Sequence, residues 1–275
     1  MFKIVSDSSS NLLSLEGVSF ASVPLHILVG EQSFVDDETL DVNAMFDALS
    51  SYNGPSSTSC PSPNDWLNAF ESFETVFCVT ISSGLSGSYS SACAAKQMYE
   101  EAHPDRQVYI FDSLSAGPGL ALIIYKIKEC IQKRLPAQEI YEKVTAYQRT
   151  LHIYYALSSL DNLAKNGRVN PLVAKGIGAL GIRVIGTATE EGKIKPIDKA
   201  RGDKKTMQKV FAHMKANGYQ GGRVIISHSD YFSVAQSLET LILDTYPDAD
   251  ISIQENTGLC SYYAEQHSVI VSFEE

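Results

Sequence analysis

Ile81-Ser82-Ser83-Gly84-Leu85-Ser86-Gly87-Ser88-Tyr89-Ser90-Ser91-Ala92 is the stretch on which the reading of this chain turns. It follows the apolar, β-branched run Thr75 to Ile81, which predicts a buried strand. Ala92, Ala95, Met98 and Tyr99 then recur at helical spacing, so a helix over Ser90 to Glu101 is predicted. A strand, a Gly/Ser turn and a helix start together put free backbone N–H groups beside several hydroxyls. Such a junction holds an anion, a carboxylate or a phosphate, in preference to a cation. The plainer alternative is a turn whose serines only cap the helix.

Working outward, Phe2-Lys3-Ile4-Val5 reads as a strand that ends in Ser6-Asp7-Ser8-Ser9-Ser10, and Gln107 to Phe111 as a strand that ends in Asp112-Ser113. Hydroxyl-rich loops therefore follow three strand-like runs, and they are expected to converge at the carboxyl edge of one sheet, where open α/β sheets place their ligands. Val18 to Val29 is a further strand region, interrupted by Pro24. Asp41 caps a helix over Val42 to Leu49, with Asp36-Asp37-Glu38 read as a solvated turn rather than a metal site. Ser62 and Pro63 open a helix to Phe73, and Leu120 to Lys133 and Pro136 to Thr150 are helical. This alternation predicts a mainly parallel sheet with helices on both faces.

From Leu151 the pattern changes. Strands are predicted over His152 to Leu157, Arg183 to Thr189, Lys193 to Pro196, Arg223 to His228, Ile251 to Gln254 and Val269 to Phe273. Leu160 to Lys165 is a short helix closed by Asn166-Gly167; Lys204 to Asn217 and Phe232 to Tyr246 are amphipathic helices. The turn Glu190-Glu191-Gly192 points to antiparallel pairing. The expected fold is thus α/β in two domains, residues 1–150 with a parallel sheet and 151–275 with a mixed or antiparallel one, the ligand site between them.

The 275 residues carry a formal net charge of −10, which argues against general nucleic-acid binding. No run reaches the length of a transmembrane helix and no cleavable leader is evident, so a cytoplasmic protein is expected. The five cysteines form no C-x-x-C pair and read as reduced thiols; the six histidines show no metal-ligand spacing, so neither metal nor cofactor is expected. Gly176-Ile177-Gly178-Ala179-Leu180-Gly181 matches G-x-G-x-x-G, but a helix precedes it and a strand follows, the reverse of a dinucleotide site. Ser86 is not in a G-x-S-x-G elbow, because Ser88 stands where the last glycine belongs. Lys193 to Lys209 holds seven basic residues against two acidic ones, a local patch suited to an acidic partner or to transient contact with an anionic membrane surface.

In collinear order, Ser6-Asp7-Ser8, Thr58-Ser59-Cys60-Pro61-Ser62-Pro63, Ser82 to Tyr89, Asp112-Ser113, Leu163-Ala164-Lys165-Asn166-Gly167-Arg168-Val169 and Ala200-Arg201-Gly202 resemble the signature loops of the DegV family. That resemblance implies a non-catalytic two-domain protein that binds a long-chain fatty acid and, in some members, presents it to a separate fatty-acid kinase. It implies that Thr58, Ser59, Ser86 and Gly87 hold the carboxylate and that Arg201 serves work with the kinase. Many members carry a C-terminal G-T-H-T-G-P-G segment whose histidine also touches the carboxylate; here Tyr263 stands at that place. Burying one methylene contributes about 0.8 kcal/mol, so a tail of about fourteen contributes on the order of 11 kcal/mol before the costs of association. Leu120 to Ile131 and Leu172 to Ile185 are the sequence's candidates for the tunnel wall. Two other readings stay open: a hydrolase or acyl-transfer enzyme with Ser86 as nucleophile, and a docking module that acts through the basic patch.

Overall fold

Strand β6 (Thr75–Thr80) is buried from Val76 onward, as an apolar run must be when both faces of its sheet are covered. It lies between β1 (Phe2–Asp7) and β7 (Gln107–Asp112), with β2 (Ser19–Val23) outside β1, in a four-stranded sheet whose pairs are all parallel. Period-two alternation divides β6 between two cores. Val76 and Cys78 pack with Trp66 and Phe70 of α2 (Pro63–Phe70) and Ala92, Ala95 and Tyr99 of α3 (Ser88–Ala102). Phe77 and Val79 pack with α4 (Pro118–Gln132) and α5 (Ala137–Gln148) on the other face. These features belong to a computed structural model that describes residues 1–174 and 181–275.

Local chemistry sets the helix starts. Asp41 accepts from the amides of Asn43 and Ala44 at 2.9 and 3.1 Å to begin α1 (Val42–Ser51). Ser62 and Asp65 close a reciprocal capping box on α2, with Pro63 at its first position. Pro24 separates β2 from β3 (His26–Val29), and the two enter different sheets. β3 pairs antiparallel with β4 (Gln32–Val35) and with β5 (Ser56–Ser59) in a small sheet ordered β4-β3-β5.

The remaining strands form one six-stranded sheet, ordered β10-β9-β8-β13-β11-β12. They are β8 (Leu151–Leu157), β9 (Ile182–Ala188), β10 (Ile194–Arg201), β11 (Val224–Ser229), β12 (Ile251–Glu255) and β13 (Ser268–Glu274). All its pairs are antiparallel except β11 with β12, which is the mixed sheet expected. Helices α6 (Asp161–Lys165) and α7 (Pro171–Ala174) lie between β8 and β9 in sequence. On the sheet's outer face Tyr154, Ala156, Val224, Ile226 and Val271 pack under α8 (Asp203–Ala216) and α9 (Phe232–Leu243). The inner face presents Ile153, Tyr155, Leu157 and Ile270 toward the first half of the chain.

Two wall expectations are corrected. Leu120 to Ile124 and Ile127 of α4 are fully buried in a core that spans the parallel sheet and includes Ile225 of β11, so this face of the helix is core rather than slot wall. Leu172 and Val173 are exposed, and Ile185 lies in the core beneath α8. Residues 176–180 of the glycine pattern lie outside the described residues. A short helix that the sequence did not suggest, α10 (Gly258–Ala264), follows β12.

Candidate functional site

The three hydroxyl-rich loops meet because β1, β6 and β7 are parallel neighbours. Asp7, fully buried at the end of β1, is the acceptor shared by the first two of them. It takes hydrogen bonds from the Ile81 amide at 2.9 Å, from the Ser88 hydroxyl at 2.6 Å, and from Ser9. Burial pushes its carboxyl pKa up, and these donors oppose the shift. The next loop is joined in the same way, with the Ser83 amide donating to Asp112 at 3.0 Å. Across the chain, Ser82 donates to the Gly192 carbonyl at 2.8 Å; a Cβ on Gly84 would stand 2.4 Å from the Glu191 carbonyl oxygen. The β9–β10 turn therefore rests on the Gly/Ser loop, and the glycine at 84 permits the approach.

Between the loops and the inner face of the six-stranded sheet runs a slot of about 700 Å3. Its walls are hydrocarbon: Leu25, Ile81 and Leu85 from the first half, Ile153, Leu157, Ile194 and Ile270 from the sheet, Leu259 and Ala264 from α10. The polar groups among its lining are Thr58, Ser86, Arg168, Tyr263, Tyr155 and the buried thiol of Cys260. No histidine, aspartate or glutamate is among them, so no general base faces Ser86 among the described residues.

Each of the polar groups is held by backbone geometry. Strand β5 alternates, so Ser56 and Thr58 point inward and Ser57 and Ser59 are exposed. The inward pair meets adjacent tyrosines of α10: Ser56 bonds the Tyr262 hydroxyl and Thr58 the Tyr263 hydroxyl, each at 2.8 Å. Ser86 accepts from the Ser88 amide at 3.3 Å, which leaves its own proton to donate. Arg168 leaves α6 through Gly167, whose φ of +75° suits a residue without Cβ. Its guanidinium bonds the carbonyls of Leu85 (3.1 Å) and Asn166 (2.6 Å), and its carbon lies 5.7 Å from the centre of the Tyr263 ring. A guanidinium has five N–H donors, so three remain.

The expected residues separate accordingly. Thr58, Ser86 and Tyr263 line one slot. Ser59 points away from it, because neighbouring strand residues face opposite sides. Gly87 caps α3 and packs toward Cys60 without lining the slot. Arg201 is exposed in a surface hollow with Lys204, Lys205 and Gln208. Arg168 was quoted in a motif but given no role; its signal was a glycine turn that aims a cation. Asp36, read as solvated, is fully buried and accepts from the Gly258 amide at 2.6 Å and the Leu259 amide at 3.0 Å, so it fixes the start of the helix that carries Tyr263. No cluster of His, Cys, Asp or Glu suited to a metal, and no helix long and apolar enough to cross a membrane, occurs among the described residues.

Burial raises the Asp36 pKa to about 6 from an ordinary 3.8. A raised native pKa means that the folded state binds the proton more tightly. Its contribution to stability is therefore complete below pH 3.8 and lost as pH rises through about 6, on the order of 3 kcal/mol in all. Urea unfolding from pH 4 to 8 should show a shallower decline in Asp36→Asn than in the parent; parallel profiles would contradict this assignment.

A hydrocarbon slot with a cation and hydroxyls among its few polar groups has the chemistry to take an amphiphile with an anionic head. The chain belongs to the DegV family, whose model ("Uncharacterised protein, DegV family") matches residues 1–275. A DegV domain-containing protein of Streptococcus pneumoniae is 39% identical, over 99% of both chains. Among solved structures, a DegV family protein from Eubacterium eligens loaded with heptadecanoic acid superposes with a TM-score of 0.98 at 39% identity, covering 100% of this chain and 99% of that one. The Streptococcus pneumoniae Fatty Acid Kinase (Fak) B3 protein loaded with linoleic acid gives 0.97 at 39% identity, with 99% of each chain covered. A DegV family protein from Ruminococcus gnavus, refined with vaccenic acid, gives 0.91 at 30% identity, covering 98% of this chain and 99% of that one.

Proposed function

We propose that this protein binds a long-chain fatty acid without transforming it, the acyl chain in the slot and the carboxylate at Arg168, Ser86, Thr58 and Tyr263. The observation that carries the reading is the slot's chemistry: one guanidinium and a few hydroxyls in a lining that is otherwise hydrocarbon. A buried carboxylate needs converging donors, and these supply them. The acid is ligand rather than cofactor, and nothing else is required for binding. Residues 1–150 and 151–275 act as the two domains that enclose it. The fatty-acid kinase implied by the likeness to Fak B3 is the proposed partner, with Arg201 and the exposed Lys204 and Lys205 at the contact; the same patch touches an anionic membrane transiently. The working compartment is the cytoplasm, where the five thiols stay reduced.

Mass spectrometry of the purified protein, native and after solvent extraction, tests the reading. A mass excess that extracts as a fatty acid supports it; an unliganded mass together with no uptake of added acid overturns it. Ser86→Ala and Thr58→Val should each weaken binding about tenfold, as expected for one hydrogen bond to a charged group. Unchanged affinity in both would remove these hydroxyls from the site. Ser86 as a nucleophile would instead be labelled by a fluorophosphonate, and no labelling is expected.

A further inference from the structure

Tyr155 lies midway along β8 between Ile153 and Leu157, and all three side chains line the slot. Its side chain is 95% buried in a hydrocarbon wall, and its hydroxyl finds no acceptor there. The backbone N–H of Lys195 approaches the phenol oxygen. That amide is a donor and cannot take the phenol's proton. Burial also raises the phenol's pKa, so the group remains a donor at neutral pH.

The placement is built into the sheet. Tyr155 is paired across the ladder with Gly186 of β9, and a Cβ on that glycine would stand 2.0 Å from the phenol oxygen and 2.1 Å from its ring carbon. The hydroxyl end of the ring therefore lies over Gly186, in space that any other residue would fill. On the opposite side Tyr155 is paired with Ile270, itself part of the slot wall. A donor seated in this way belongs to the sheet wall of the slot, between Ile153 and Leu157, whereas Thr58, Ser86 and Tyr263 come from β5, the Gly/Ser loop and α10.

A buried donor without an acceptor is costly, and a saturated tail offers it none. A cis double bond offers a weak π acceptor, and a chain hydroxyl or keto oxygen a strong one. We infer that Tyr155 is a specificity element for the tail, selecting fatty acids that carry a hydrogen-bond acceptor along the chain, unsaturated or oxygenated, over saturated chains of equal length. This rests on the fatty-acid reading above and adds to it the subclass of acid.

The test is competitive binding of stearic acid, oleic acid and a set of hydroxystearic acids with the hydroxyl at successive mid-chain carbons, to the parent protein, Tyr155→Phe and Gly186→Ala. The parent should prefer oleic acid to stearic acid by about threefold, and the best-placed hydroxy acid by about tenfold. Tyr155→Phe keeps the ring and removes the donor, so both preferences should collapse while stearic acid binds as well or better. Gly186→Ala pushes the ring into the slot and should weaken every acid alike. Identical preferences in the parent and Tyr155→Phe, or no preference in the parent, would overturn the inference and leave fatty-acid binding standing. Failure of the parent to take up any acid would overturn both. Arms with oleic acid and with the hydroxy acids separate a π acceptor from an oxygen.

Discussion

Arg168→Ala is expected to lower affinity for a long-chain fatty acid about a hundredfold while leaving affinity for the chain-matched fatty alcohol within about threefold. Among the described residues the guanidinium is the one formally charged group in the slot lining, and two of its donors are already fixed by the carbonyls of Leu85 and Asn166. Its remaining donors are thus held in place before any ligand arrives, which keeps the entropic cost of a further bond small. A charge-assisted hydrogen bond contributes about 1.5–3 kcal/mol, and the upper end applies in a hydrocarbon surround. The alcohol control separates head-group recognition from damage to the slot, because a collapsed slot would reject both. Arg168→Lys keeps the charge but loses the planar fork, and an intermediate loss is expected. Calorimetric titration of both ligands decides the matter; equal loss for acid and alcohol would make Arg168 a structural tie between the Leu85 loop and α6.

Asp7→Ala should cost about 3 kcal/mol of folding stability, the larger part of what a single buried polar truncation commonly removes. The substitution strands the Ile81 amide and the hydroxyls of Ser9 and Ser88 in a water-free region. Losing the desolvated charge returns part of that cost, which keeps the figure from being larger. Asp7→Asn keeps one acceptor and lets the serine hydroxyls rotate, so it should recover roughly half. Urea midpoints measure both. A change below about 1 kcal/mol in Asp7→Ala would mean that the loops after β1 and β6 hold their positions without a shared acceptor.

The elements legible in the sequence were those whose periodicity was locally complete. The parallel sheet followed from apolar runs that alternate with helical spacing, and the mixed sheet from strands separated by a turn at Glu190 to Gly192. Ser56 to Ser59 has no such pattern; pairing with β3 makes it a strand, and context outweighs propensity there. Helix α10 was missed because Gly258 to Ala264 is short and buried at six of its seven positions, so no amphipathic stripe marks it. Asp36 looked solvated beside Asp37 and Glu38, and only the distant amides of Gly258 and Leu259 explain its burial. Thr58, Ser86 and Tyr263 were reached by likeness to a family pattern. Ser59 fell away because two neighbours in a strand cannot face one ligand together. Arg168 needed the turn at Gly167 to give its charge a direction.

Strand β10 is the outer edge of the six-stranded sheet, and Lys193, Lys195, Lys199 and Arg201 stand exposed along it and its approach. An open edge is a template on which a second sheet can extend itself. Two such edges brought together would place rows of like charge about 4.8 Å apart, the spacing of paired strands. Repulsion at that distance disfavours such pairing. The protein should accordingly remain dispersed in dilute buffer and self-associate more readily as added salt screens those cations.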